Sequence, residues 1–68
     1  MNEEAFNIGI RKFLKMVGVN SQRDIEQAVA KAIAERGIAG NETLVARMTL
    51  EIPALALKTT FDGTIALE

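Results

Sequence analysis

Two groups of polar residues have the types and the spacing for recognition chemistry. The first is the pair Gln22 and Arg23, at the predicted start of a helix. Glutamine can form a bidentate contact with adenine and arginine with guanine, so this pair could read base edges. The second is a basic trio, Arg11, Lys12 and Lys15, which could contact a phosphate or an acidic partner. These five residues are the candidate partner-binding positions.

Each group also has an ordinary structural explanation. Ser21 and Asp24 have the spacing of a capping box, and a cationic trio without aromatic neighbours is typical of a solvated helix face. Asp24 and Glu26 would face phosphate at the proposed reading end, which weighs against nucleic-acid binding. A helix-turn-helix-like unit over residues 6–36 stays the alternative function, although such units normally have a third core helix and none is predicted.

Catalytic and metal chemistry lack their usual residues, because the chain has no histidine and no cysteine. Histidine is the commonest general base at neutral pH and the commonest metal ligand, and cysteine provides thiolates. The carboxylates that are neighbours in sequence, Glu3 with Glu4 and Asp24 with Glu26, point in different directions on a helix. The GIAG segment at residues 37–40 lacks the lysine of a phosphate-binding loop. We therefore predict no catalytic, metal or cofactor-binding residue and no enzymatic activity.

The apolar spacing in the first half of the chain predicts two helices, over residues 3–17 and 22–36. Gly18 and Gly37 follow them at positions typical of a helix end. The predicted buried stripe of the first helix contains Phe6, Ile10, Phe13, Leu14 and Val17. The predicted buried stripe of the second helix contains Ile25, Ala28, Val29, Ala32 and Ile33. The short connection between the helices implies an immediate turn.

The second half alternates apolar and polar side chains with a period of two, which predicts strands over residues 44–52 and 57–67. Pro53 cannot donate to a central ladder and separates them. A later Asp-Gly turn is rejected because the alternation continues through it. The sequence predicts a single α+β domain, residues 1–68, in which two N-terminal helices pack on one face of a C-terminal antiparallel β-hairpin (ααββ).

A four-residue loop, residues 53–56, sets the predicted register of this hairpin. The predicted outward pairs are Glu51 with Lys58, Thr49 with Thr60, and Arg47 with Asp62. The predicted inward pairs are Leu50 with Thr59, Met48 with Phe61, and Leu44 with Ile65. Each favourable cross-strand pair contributes about 0.2–1 kcal/mol. A loop shorter by two residues would lose both charge pairs.

Composition restricts the classes of partner. The net charge is −1, so there is no overall attraction to nucleic acid or to an anionic membrane. No apolar run approaches the roughly 20 residues of a membrane span, and the acidic N-terminus does not resemble a signal peptide. We expect a cytoplasmic, non-catalytic protein that binds a protein partner or itself. The unpaired edges of a lone hairpin favour a homodimer with a four-stranded sheet.

Three segments carry a resemblance to known proteins: NIGIRKFLKMVGVNSQRDIEQAV, GNETL and the ending GTIALE. With these segments the chain resembles a family of short, single-domain bacterial proteins of unknown function. The most distinctive pieces are Ser21-Gln22-Arg23 and the GNETL segment at residues 40–44. The resemblance implies no activity, cofactor or catalytic residue. It does imply that the final pair, Leu67-Glu68, is native.

Overall fold

The computed structural model describes residues 1–68 as two compact units, Met1–Glu35 and Arg36–Glu68. The first unit is one long α-helix, α1 (Glu3–Ala34). The second is an antiparallel β-hairpin. The predicted α+β class and the hairpin are confirmed, whereas the prediction of two N-terminal helices is wrong. The packing of helical residues on the hairpin stays a prediction.

The start of α1 is fixed by its own side chains. The Asn2 side-chain oxygen accepts a hydrogen bond from the Ala5 N–H at 3.0 Å, which satisfies one of the free donors of the first turn. Glu3 and Glu4 lie in the first turn and Lys31 in the last, so each charge complements the helix dipole. Asn2 is thus the N-cap of α1.

The connection predicted at residues 18–21 is helical, so the two expected helices are one. Gly18 costs a helix interior only about 1 kcal/mol relative to alanine, and no proline interrupts the backbone ladder. The Asn20 side-chain amide donates to the Met16 carbonyl at 2.9 Å, one turn earlier in the same helix. Ser21, expected to cap a second helix, lies inside α1. The local end and start signals are therefore too weak to break the helix.

The helix ends at Ala34 rather than at the predicted residue 36. The Glu35 N–H donates to the Lys31 carbonyl at 2.9 Å and completes the last turn. Arg36 then has a φ of 59°, a left-handed conformation, immediately before Gly37, which we expected to follow the helix end. The backbone reversal therefore begins one residue before the glycine.

The hairpin consists of β1 (Thr43–Ile52) and β2 (Leu57–Ala66). A short 3-10 turn over Pro53–Leu55 joins them, and Ala56 closes the loop with a left-handed φ of 51°. The Ala56 N–H donates to the Pro53 carbonyl at 3.0 Å. The four-residue connection is confirmed, and the rejected Asp-Gly turn lies inside β2.

The predicted register is confirmed at every pair. The outward pairs are Glu51 with Lys58, Thr49 with Thr60, and Arg47 with Asp62. The inward pairs are Leu50 with Thr59, Met48 with Phe61, and Leu44 with Ile65. The Arg47 Nε atom lies 2.7 Å from Asp62 Oδ1, and Lys58 Nζ lies 4.0 Å from Glu51 Oε1. Both ion pairs are exposed, so each adds at most about 1 kcal/mol, and their main effect is to specify register.

Candidate interaction surface

The continuous helix aligns apolar and small residues that the two-helix prediction had separated. We call this set the α1 stripe. Its members are Phe6, Ile10, Leu14, Val17, Ser21, Ile25, Ala28 and Ala32. At about 100° of rotation per residue, all of them fall within an arc of about 100°. The stripe therefore runs along one side of nearly the whole helix.

An eleven-residue spacing generates the α1 stripe. It relates Ile10 to Ser21 and Leu14 to Ile25. Eleven residues make about three helical turns, so an apolar line with this spacing stays almost straight along the helix axis. Sequence reasoning missed the stripe because it divided the helix at Gly18. The repeat across that glycine was the signal that could have revealed it.

The α1 stripe is open to solvent. Phe6 is 54% exposed, Leu14 56%, Ile10 40% and Ile25 39%. Ser21 is only half-buried, and no residue of the chain is fully buried. Large apolar side chains normally occur in a packed interior, so an apolar line of this length is typical of a surface that another element covers.

The hairpin has an open apolar face of its own. Its large side chains are Leu44, Met48, Leu50, Ile52, Leu57, Phe61 and Ile65. Phe61 is 57% exposed and Met48 44%. The sheet has only two strands, so the outer edge of each strand also lacks a partner. An isolated two-stranded hairpin is marginally stable in water, and this unit needs cover on at least one side.

The five predicted partner-binding residues all lie on α1 and all are exposed. Helix geometry places Arg11, Lys15 and Gln22 in one row, because four and eleven residues both return the side chain to nearly the same side. Lys12 and Arg23 form a second row, also eleven residues apart. Both rows lie outside the α1 stripe. The structure thus places these residues outside the α1 stripe, on a side of the helix that also carries exposed apolar side chains.

The continuous helix changes the basis of the helix-turn-helix interpretation. That interpretation placed Gln22 and Arg23 at the tip of a second helix, whereas both lie inside α1. No turn separates residues 6–17 from residues 22–34, and neither side chain is at a helix N-terminus. Nucleic-acid binding through residues 6–36 stays a prediction without the turn that motivated it.

The GNETL segment contains a carboxylate that holds its own loop. The Glu42 carboxylate accepts hydrogen bonds from the N–H groups of Ala39 at 2.8 Å, Gly40 at 2.9 Å and Asn41 at 3.2 Å. These N–H groups, that of Ala39 most strongly, hold the pKa of the Glu42 carboxyl below its usual value of 4.5. Through these hydrogen bonds Glu42 caps its own loop.

The Glu42 interaction predicts a specific pH dependence of stability. Because the folded-state pKa is lowered, the charged carboxylate stabilises the fold above about pH 4.5, and this contribution is lost as the pH falls through the folded-state pKa. We expect Glu42→Gln to lower the unfolding midpoint at pH 7, and the difference from the unmodified chain to shrink at pH 3. Thermal unfolding of both proteins at pH 7, 5, 4 and 3 measures this difference in midpoint.

Glu51→Gln is the matched control for this prediction. The Glu51 carboxylate faces Lys58 at 4.0 Å on the exposed side of the hairpin and accepts no hydrogen bond from a backbone N–H. Its substitution should leave the unfolding midpoint nearly unchanged at each pH. A constant difference between Glu42→Gln and the unmodified chain from pH 7 to pH 3 would contradict the role of the charge.

The structure contains neither a metal-binding cluster nor a membrane-spanning helix. No group of three or more His, Cys, Asp or Glu side chains is placed to hold a metal ion. No helix combines the length and the apolar character needed for a membrane crossing.

Comparison with known proteins gives one match. Searches of curated proteins and of solved structures found no similar protein. A family described as a family of unknown function (DUF6494) matches residues 1–68. The match spans the helix, the Glu42 loop and the hairpin, in agreement with the resemblance to a family without a known activity. The chain belongs to DUF6494.

Proposed function

We propose that this protein is a non-catalytic interaction module that associates with a second copy of itself. The observation that carries the proposal is that neither α1 nor the hairpin has a buried residue of its own, in a chain that is 49% hydrophobic. Folding is driven mainly by burial of apolar surface, which must offset the conformational entropy of the ordered chain. Neither unit by itself has that burial.

The non-catalytic part of the proposal is supported by the residue inventory. No histidine or cysteine is present to act as a base, a nucleophile or a soft metal ligand. The Glu42 carboxylate, whose pKa is lowered, is engaged by the backbone of its own loop. Its hydrogen bonds account for the shift.

Light scattering coupled to size-exclusion chromatography tests the proposal. We expect a mass of about 15 kDa, twice the 7.4 kDa of the chain, from high to low micromolar concentration. The unfolding temperature should rise with protein concentration, because association stabilises only the folded state. A 7.4 kDa particle at several hundred micromolar, with an unfolding temperature independent of concentration, would overturn the proposal.

A further inference from the structure

We propose that the second copy packs along the α1 stripe as an antiparallel helix pair centred near Ser21. This inference rests on the proposed self-association and names the surface and the orientation through which it occurs. It differs from pairing at the hairpin edge, which uses another surface of the chain.

Length identifies an element that can cover the stripe. The 32 residues of α1 extend about 48 Å at 1.5 Å per residue. The ten-residue strands extend only about 33 Å. A second α1 is the one element of the chain with a matching length, and its stripe has the same nearly straight path.

The order of side-chain sizes along the stripe selects the orientation. Its N-terminal part has large residues, Phe6, Ile10 and Leu14, whereas its C-terminal part ends with Ala28 and Ala32. An antiparallel pair puts Ile10 and Leu14 of one helix against alanines of the other at both ends of the contact, with Val17, Ser21 and Ile25 at its centre. Interiors pack at nearly constant density, which such complementary volumes provide.

The eleven-residue spacing fixes the partners in this arrangement. With Ser21 opposite Ser21 of the second copy, symmetry places residues whose numbers are equally distant from 21 opposite each other. The resulting pairs are Ile10 with Ala32, Leu14 with Ala28, and Val17 with Ile25. All six residues belong to the stripe, so the apolar lines match without a shift.

A parallel pair fits the same residues poorly. In register, it would put Leu14 against Leu14 and Ile10 against Ile10 at one end, but Ala28 against Ala28 and Ala32 against Ala32 at the other. The distance between packed helices follows the size of the contacting side chains. Two straight helices cannot be wide apart at one end and close at the other without leaving cavities.

Introduced cysteines test both surface and orientation, because the unmodified chain contains none. We expect Ser21→Cys to form a disulfide-linked dimer as the main product of mild oxidation, seen on a non-reducing gel. Gln22→Cys, outside the α1 stripe, is the control and should stay mostly monomeric on that gel. Disulfides need Cα atoms within about 7 Å, so only facing positions react efficiently.

The orientation is read from Ile10→Cys and Ala32→Cys. In the antiparallel pair, residue 10 of one copy lies about 33 Å from residue 10 of the other, since 22 residues separate it from residue 32. Neither variant should therefore cross-link alone, whereas the two refolded together should. Cross-linking of each variant alone, with no disulfide between Ile10→Cys and Ala32→Cys chains in the mixture, would overturn the antiparallel orientation.

The outcomes separate this inference from the proposed self-association. A particle of about 15 kDa, twice 7.4 kDa, whose Ser21→Cys variant links no better than Gln22→Cys would overturn the helix contact and leave self-association standing. A 7.4 kDa particle for the unmodified chain would overturn both. Circular dichroism of each variant verifies that α1 is still formed.

Discussion

Ile10→Asp is expected to separate the two copies, whereas Ile8→Asp is expected to leave them together. Ile10 belongs to the α1 stripe, so the substitution would place a carboxylate in the contact and remove a large apolar side chain. Removal of a buried isoleucine side chain costs about 2–5 kcal/mol, and a buried unpaired charge adds to this. Since each 1.4 kcal/mol is tenfold, the dissociation constant should rise at least about 30-fold.

Ile8 is a closely matched control for this experiment. It is the same residue type on the same helix, and it is 51% exposed where Ile10 is 40% exposed. Two residues turn the helix by about 200°, so Ile8 points away from the stripe. Analytical ultracentrifugation over a concentration series measures both dissociation constants. Equal effects of the two substitutions would show that the stripe is not the contact.

The hairpin could be predicted in detail because several independent signals agree. The alternation of side chains gives the two faces, and Pro53 marks the connection. The charge pairs then select one register, because a shift would put Arg47 and Glu51 opposite uncharged or wrong partners. Each signal depends only on residues close to one another in the hairpin, so no distant contact was needed to interpret them.

The helical half shows where sequence reasoning failed. Gly18, Ser21 and Asp24 are ordinary signals for a helix end followed by a helix start. Each signal changes the stability of a helix by only about 1 kcal/mol, and a helix that forms on both sides of these residues tolerates that cost. The local signals and the apolar line made opposite predictions, because the line needs an unbroken helix. The eleven-residue spacing across Gly18 is the pattern that agrees with the structure.

Two features of the candidate surfaces depend on backbone conformation, which residue types alone do not give. The hold of Glu42 on its loop arises from the backbone of residues 39–41, and glutamate has no strong preference for this role in sequence. The polar rows, in which Arg11 and Gln22 lie on the same side of α1 about three turns apart, exist only because the helix continues between them. Neither follows from composition, and both follow directly once the helix and loop are known.

Val19→Pro distinguishes one helix from two and should have the second large effect. Within α1 the Val19 N–H donates to the carbonyl of residue 15, and a proline removes that bond and clashes with the same carbonyl. We expect a loss of about 3 kcal/mol or more in the free energy of unfolding, together with a loss of helical circular dichroism. Urea denaturation at fixed protein concentration measures the loss.

The same substitution would have the opposite consequence if residues 18–21 were a turn. Proline is common one or two residues beyond a helix end, so in that case Val19→Pro would be nearly neutral. Val19→Ala is the control: the side chain is 51% exposed and lies outside the α1 stripe, so its loss should change stability by no more than about 0.5 kcal/mol. A tolerated proline would therefore contradict the continuous helix, and with it the unbroken stripe on which the antiparallel pair depends.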